Sequence, residues 1–321
     1  CKVFVSDGTD TTESEASIQI LSPCPLGSCT QTDEFTMEDG QVFNATFKYI
    51  LGGEEPLEAY VLSDFYMMET EVTQEFYDGI VGIDSAYPPS ILGDNYPVDN
   101  VNWHNMAYLA NRLTQLYNAS YGTSLQECYS CASSESCSIS FPEEEIYLCT
   151  GFRLPTEWEW EYAARSGTNM DIWTGFTSSL GADIPNASNI TILEHSDPNL
   201  QIDISDYAYN CQDAGSTSPT QTTVASLLPN GFGLYDMHGN VAEWTHEITG
   251  MSYNYSNTRP PLNYDNPFTY SIGSTVNKSI IRGGRCNDDQ IYFSASNRKT
   301  WTITSHRPLS GGRLVRGNLS P

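Results

Sequence analysis

The chain has 321 residues, with 14 Lys+Arg against 40 Asp+Glu, a formal net charge of −26, and 39% hydrophobic and 12% aromatic residues. That apolar fraction supports a sizeable core and excludes a disordered composition. The charge excludes nucleic acid as a partner, because phosphate contacts demand basic side chains, and it sets the surface against anionic membranes.

Such acidity suits solubility in a salty medium, or a supply of carboxylates for calcium. No apolar run reaches the roughly 18 residues of a membrane-spanning helix, so no transmembrane segment is predicted. Residues 1–33, rich in Ser, Thr, Glu and Pro, read as an N-terminal leader or tether, clipped locally by a Cys24–Cys29 bridge around PLGS. From Phe35 the texture changes to a folded body. VLSDFYMMETEVTQEFYDGIVG predicts a strand over Val61–Met68 and a helix capped by Thr73, with Glu75 in its first turn.

PVDNVNWHNMAYLANRLTQLY follows, with Ala107, Ala110, Leu113, Leu116 and Tyr117 at helical spacing. His104 falls in the first turn and reads as structural, since no second ligand-type residue stands four positions on. The stretch 124–149 is too polar and interrupted to predict a regular element, and disulfides are expected to hold it. RLPTEWEWEYAAR predicts a short helix opened by a Thr156/Glu159 capping box and packed on something broad, such as a sheet. Residues 166–230 are acidic and weakly patterned, with Cys211, calcium and Asp203, Asp206 and Asp213 as candidate staples. Short strands separated by glycine turns close the chain, with no internal repeat and no second domain.

The nine cysteines favour disulfides over zinc, although Cys128-x-x-Cys131 has zinc-site spacing. The chain starts at Cys rather than Met, which points to a processed, exported protein located outside the cell or on its surface. Cys24, Cys29, Cys128, Cys131, Cys137, Cys149, Cys211 and Cys286 are expected to pair, and connectivity stays open. The odd thiol is then Cys1, where an exported lipoprotein carries its lipid anchor; crosslinking between subunits is the alternative. Arginines concentrate after residue 277, and are expected to pair with carboxylates and knit the C-terminal segment to the body.

In GLYDMHGNVAEW, residues 233–244, the glycines mark positive-φ positions or close backbone approach. The turn reads either as a calcium-supported bend, with Glu243 as carboxylate, or as a plain structural turn; Asp236 as a general acid lacks an identifiable partner.

The pieces METEVTQEFYDGIVG, YPVDNVNWHNMAYLANRL, GFRLPTEWEWEYAAR, LLPNGFGLYDMHGNVAEW, SIIRGGRCNDD, SASNR and GGRLV stand in one order from about residue 35 to 316. In that order they resemble the formylglycine-generating enzyme, or sulfatase-modifying factor, domain, especially its exported lipoprotein-like bacterial members. The resemblance implies one mixed α/β domain over 34–321, with C-type-lectin-like topology, modest sheets, two flanking helices and much irregular loop. It also implies structural calcium, held at Gly239, Asn240, Val241 and Glu243, with a second ion between Asp203 and Asp213.

The oxidase of this family binds copper through two cysteines five apart after the GG motif. Here those positions hold Asp288 and Phe293, a carboxylate and a phenyl ring that cannot make a two-thiolate site. Cys286 has no partner at that interval, and pairing with Cys211 accounts for it. The related iron-dependent sulfoxide synthases need a histidine triad, which five scattered histidines do not supply.

Without that chemistry the scaffold implies recognition. Its groove lies near the C-terminal motif, where Asn287, Asp288, Tyr292, Trp301 and His306 are candidate ligand-binding residues. The expected role is a non-catalytic, calcium-stabilised exported or cell-surface protein that binds a peptide or glycan, or self-assembles into an oligomer or extracellular fibre. An enzyme of other chemistry and an accessory subunit of another exported protein are the alternatives.

Overall fold

The computed structural model describes residues 30–55, 60–61, 63–84, 87–141, 143–168, 172–173, 204–211, 220–249 and 277–317. Two sheets organise it. The first takes β1 (Thr30–Thr36), β2 (Val42–Ile50), β5 (Phe65–Met68), β13 (Val315–Gly317) and β8 (Phe152–Arg153) in the order β1-β2-β5-β13-β8, with β3 (Glu54–Glu55) and β4 (Tyr60–Val61) as a small separate ladder. The C-terminal strand β13 thus inserts between β5 and β8, with Val315 opposite both Met67 and Arg153. In β1 alternation decides the faces: Asp33 and Phe35 turn inward while Thr32, Glu34 and Thr36 stay in water. The expected leader therefore ends earlier than residue 33, because Thr30–Asp33 already pair with Ala45–Lys48. The single strand expected over Val61–Met68 is likewise divided between β4 and β5.

Helix α1 (Gln74–Ile80) starts where expected, with Thr73 accepting from the Phe76 N–H. Helix α2 (Trp103–Tyr121) is opened by an Asn102/Asn105 capping box and closed by Gly122 in the left-handed region. Its apolar positions meet the first sheet in an aromatic cluster, where Tyr117 lies 6.4 Å from Phe35 and 5.6 Å from Phe152, centroid to centroid. His104 is structural as expected: its Nδ1 accepts from the Cys137 N–H, and burial lowers its pKa.

The cysteine-rich segment corrects the expectation of no regular element. It forms a hairpin of β6 (Tyr129–Ser133) and β7 (Ser136–Ile139), followed by a 3₁₀ turn at Glu143–Leu148. Polar alternation hid the strands, and their stability comes from Cys131–Cys137 across the hairpin and Cys128–Cys149 at its base. Cys24, Cys29 and Cys1 lie outside the described residues.

The second sheet has the order β11-β10-β9-β12, from β9 (Ala242–Thr249), β10 (Lys278–Arg282), β11 (Lys299–Thr302) and β12 (Ser310–Gly311). Helix α3 (Glu157–Arg165) packs against β9 and β10, with every one of its residues buried. Burying a helix with three glutamates requires partners, and the C-terminal arginines supply them. Arg298 Nε lies 2.6 Å from Glu157 and its Nη2 2.9 Å from Glu161; Arg282 pairs with Glu161, as does Arg165 at 2.7 Å. Glu247 on β9 accepts from the Glu157 N–H at the helix start, and burial together with Glu157 raises its pKa to about 8. The capping box at Thr156/Glu159 forms as expected, and Glu159 also pairs with Arg153 at 2.6 Å. Among the described residues no helix is long and apolar enough to cross a membrane.

Candidate functional site

The site forms where β10 leaves the second sheet. Gly283 and Gly284 follow Arg282 with φ of 84° and 75°. A Cβ on Gly284 would stand 2.8 Å from the Tyr292 carbonyl oxygen, so the close return of the 3₁₀ turn Gln290–Phe293 requires glycine there. The chain between is pinned at both ends. Cys286 is bonded to Cys211, and its N–H donates to the Asn240 carbonyl at 2.9 Å. Arg285 meets Asp288 at 2.7 Å, and the Arg285 N–H donates to the same carboxylate. Phe293 is buried beneath the turn.

Asp288, Tyr292 and Trp301 line one small depression, with Asn297 and Lys299 on its wall. Lys299 Nζ lies 5.4 Å and the Arg285 guanidinium 5.7 Å from the Trp301 ring centroid. Burial, with Arg285 and Arg307 nearby, lowers the Lys299 pKa against the pull of Asp288. Trp301 itself is only 9% exposed and makes an edge contact with Trp244 at 5.9 Å, so its indole is mostly core and shows one part to the depression. Asn287 is exposed and is not among the residues lining the depression. His306 corrects the expected grouping: it lines a different pocket, stacked on Tyr87 at 3.6 Å. The five candidates all fall between residues 287 and 306, but β11 carries the chain away before His306 is reached.

The GNVAE turn adjoins this region. Gly239 and Asn240 both have positive φ, and a Cβ on Gly239 would fall 2.3 Å from the Tyr209 carbonyl oxygen. Glu71, from the connection between β5 and α1, accepts from Asn240 Nδ2 at 2.7 Å and from the Val241 N–H at 3.0 Å. Both Glu243 oxygens accept from Arg313, at 2.8–3.0 Å, and one also accepts from Trp160 Nε1 at 3.0 Å.

Calcium takes six to eight oxygen ligands. Of the positions expected to hold it, the Glu243 carboxylate already has a guanidinium as its cation, and the Asn240 carbonyl already accepts from Cys286. In this arrangement the one charged donor of the expected set, Glu243, is engaged by Arg313. Asp203 and Asp213 lie outside the described residues, and Asp206 is exposed. Sequence reasoning missed Glu71 and the Glu243–Arg313 pair, although the cluster of C-terminal arginines was the signal for the latter.

The position of the first expected thiol thus holds a carboxylate tied to Arg285, the second a phenyl ring in the core, and Cys286 is consumed by a disulfide. Two main sheets, a buried acidic helix and this C-terminal loop define a single mixed α/β domain with much irregular loop. The chain belongs to the family described as the sulfatase-modifying factor enzyme 1-like domain, which matches residues 24–318. It is 28% identical over 235 residues to the chaperone protein LppX of Paenibacillus barcinonensis, covering 72% of this chain and 78% of that one. It is 32% identical over 125 residues to a formylglycine-generating enzyme of Mycobacterium tuberculosis, covering 38% of this chain and 36% of the enzyme. Among solved structures the Treponema denticola variable protein 1 shares the fold, with TM-score 0.58 and 23% identity, over 89% of this chain and 98% of that one.

Proposed function

We propose that this chain is an exported, non-catalytic member of its family that uses the depression around Asp288, Tyr292 and Trp301 to hold an extended segment of another exported protein. The observation that carries the reading is replacement within an intact frame: the glycine turn, the buried helix and the closing arginines are present, while Asp288 and Phe293 occupy the positions of the oxidase thiols. Soft thiolates suit Cu(I); a carboxylate paired with arginine and a buried ring do not. The depression is too small to enclose a small molecule, which favours a partner that lies across its rim. The likeness to a protein named a chaperone supports a polypeptide partner over a glycan. Three disulfides among the described residues support an oxidising compartment.

The test is a panel of extended peptides drawn from co-exported proteins, measured for binding to the wild-type chain and to Tyr292→Ala. Retention of a subset by wild type, weakened about tenfold or more in the variant as for a central interface aromatic, is the expected result. Equal binding by both, or none by either, removes the reading.

A further inference from the structure

A second pocket lies away from that C-terminal loop, where the end of α1, the start of α2 and the β6–β7 turn meet. It is lined by Tyr77, Asp84, Tyr87, Asn105, Glu135 and His306 among others, with no lysine or arginine among its lining residues. Tyr77 is 3% exposed, yet its hydroxyl has no hydrogen-bond partner among the described residues. Its ring is packed in the core while the hydroxyl end lines the pocket. Burial raises its pKa, and Glu135 and Asp84, both at the pocket, raise it further.

The pocket is held in shape. Asn102 and Asn105, the capping pair of α2, donate to the two Glu135 oxygens at 2.6 and 2.5 Å, fixing a carboxylate that retains lone pairs for another donor. His306 Nε2 lies 3.4 Å from Glu135, and the imidazole stacks on Tyr87 with 4° between planes, which sets a 45% exposed phenol ring over the opening. A fixed acid, a second acid at the rim, a phenol hydroxyl that no described residue bonds and an exposed aromatic ring are together complementary to one chemistry, a compact organic cation.

We infer that this pocket binds the charged end of a basic side chain, an ammonium or guanidinium presented by a polypeptide. Its N–H groups donate to Tyr77 Oη and to the Glu135 and Asp84 carboxylates, and its apolar stem lies along Tyr87. No bond is made or broken. The inference concerns a different pocket from the one proposed above for peptide binding, and small probes test it without any partner protein, so either can fail alone.

The experiment is an NMR titration of the isotope-labelled chain with Nα-acetyl-arginine amide and with Nα-acetyl-lysine amide, using Nα-acetyl-glutamine amide as the uncharged control. Saturable shifts of the Gly82, Asn105 and Glu135 amides with one or both cations, and none with the control, are expected; the stronger of the two identifies the preferred side chain. Tyr77→Phe, which removes one oxygen, and Asp84→Asn, at an exposed rim position, should each weaken binding about fivefold to tenfold, as loss of a hydrogen bond or ion contact to a charged group does. No saturable shift with either cation, equal shifts with the neutral amide, or unchanged affinity in both variants overturns the inference. Shifts produced by calcium but not by the organic cations would overturn it as well.

Discussion

Asp236 shows how one residue is held against its own solvation. It sits at φ 57°, a region that asparagine, aspartate and glycine tolerate, with Oδ2 accepting from the Ala225 N–H and Oδ1 buried without a partner. Burial is the main cause that raises its pKa from 3.8 to about 6, with Glu243 adding to the rise and Arg313 opposing it. A folded pKa above the unfolded one means that the folded chain holds the proton more tightly. The stabilisation from this group is complete below about pH 4 and is lost as pH rises through about 6. Asp236→Asn keeps the acceptor for Ala225 and tolerates the same φ, so it should raise the melting temperature at pH 7 relative to wild type and narrow the difference at pH 4. Melts at the two pH values check this, and a variant destabilised at pH 7 refutes it. Glu243→Gln has the opposite sign: it strands Arg313 in the core and should cost about 3–5 kcal/mol. Denaturant titration reads that loss, and chelating calcium should move the melt far less than this substitution does.

At the scale of the element, α3 is where sequence and structure agree best and also where the sequence conceals most. Thr156 and Glu159 announce the capping box because its bonds are local, and local bonds leave a fixed spacing. Thr156→Ala should cost about 1–2 kcal/mol by thermal or denaturant unfolding, with a loss below that range telling against the cap. The ion-pair network around Glu157 and Glu161 was legible only as a surplus of late arginines, since Arg282 and Arg298 arrive from more than a hundred residues away. The β6–β7 hairpin was illegible for a related reason. Its strands bury little apolar surface, and the disulfides that hold it, Cys128–Cys149 and Cys131–Cys137, have a connectivity that spacing alone leaves open. Cys211→Ser should destabilise by about 2–5 kcal/mol, because Cys211–Cys286 closes a separation of 75 residues and anchors the site loop. Mass analysis of non-reduced peptides should recover these three pairings.

Across the whole molecule, the ordered run of motifs made the family readable, and the family made the fold readable. The candidate site was readable residue by residue but not as an arrangement. Asp288, Tyr292 and Trp301 do converge, while His306, only a few positions further on, belongs to another pocket with Tyr87 and Glu135. Tertiary placement of that kind leaves no periodic trace in a sequence. The exchange of two thiol positions for Asp288 and Phe293, by contrast, was visible at once, and the structure gives each replacement a settled role in Arg285 pairing and core packing. The most direct measurement loads the purified, disulfide-intact chain with Cu(I) and supplies oxygen and a cysteine-bearing sulfatase-type peptide, with mass analysis of the peptide. An unmodified cysteine is the predicted result; conversion of that cysteine to the aldehyde would contradict the account.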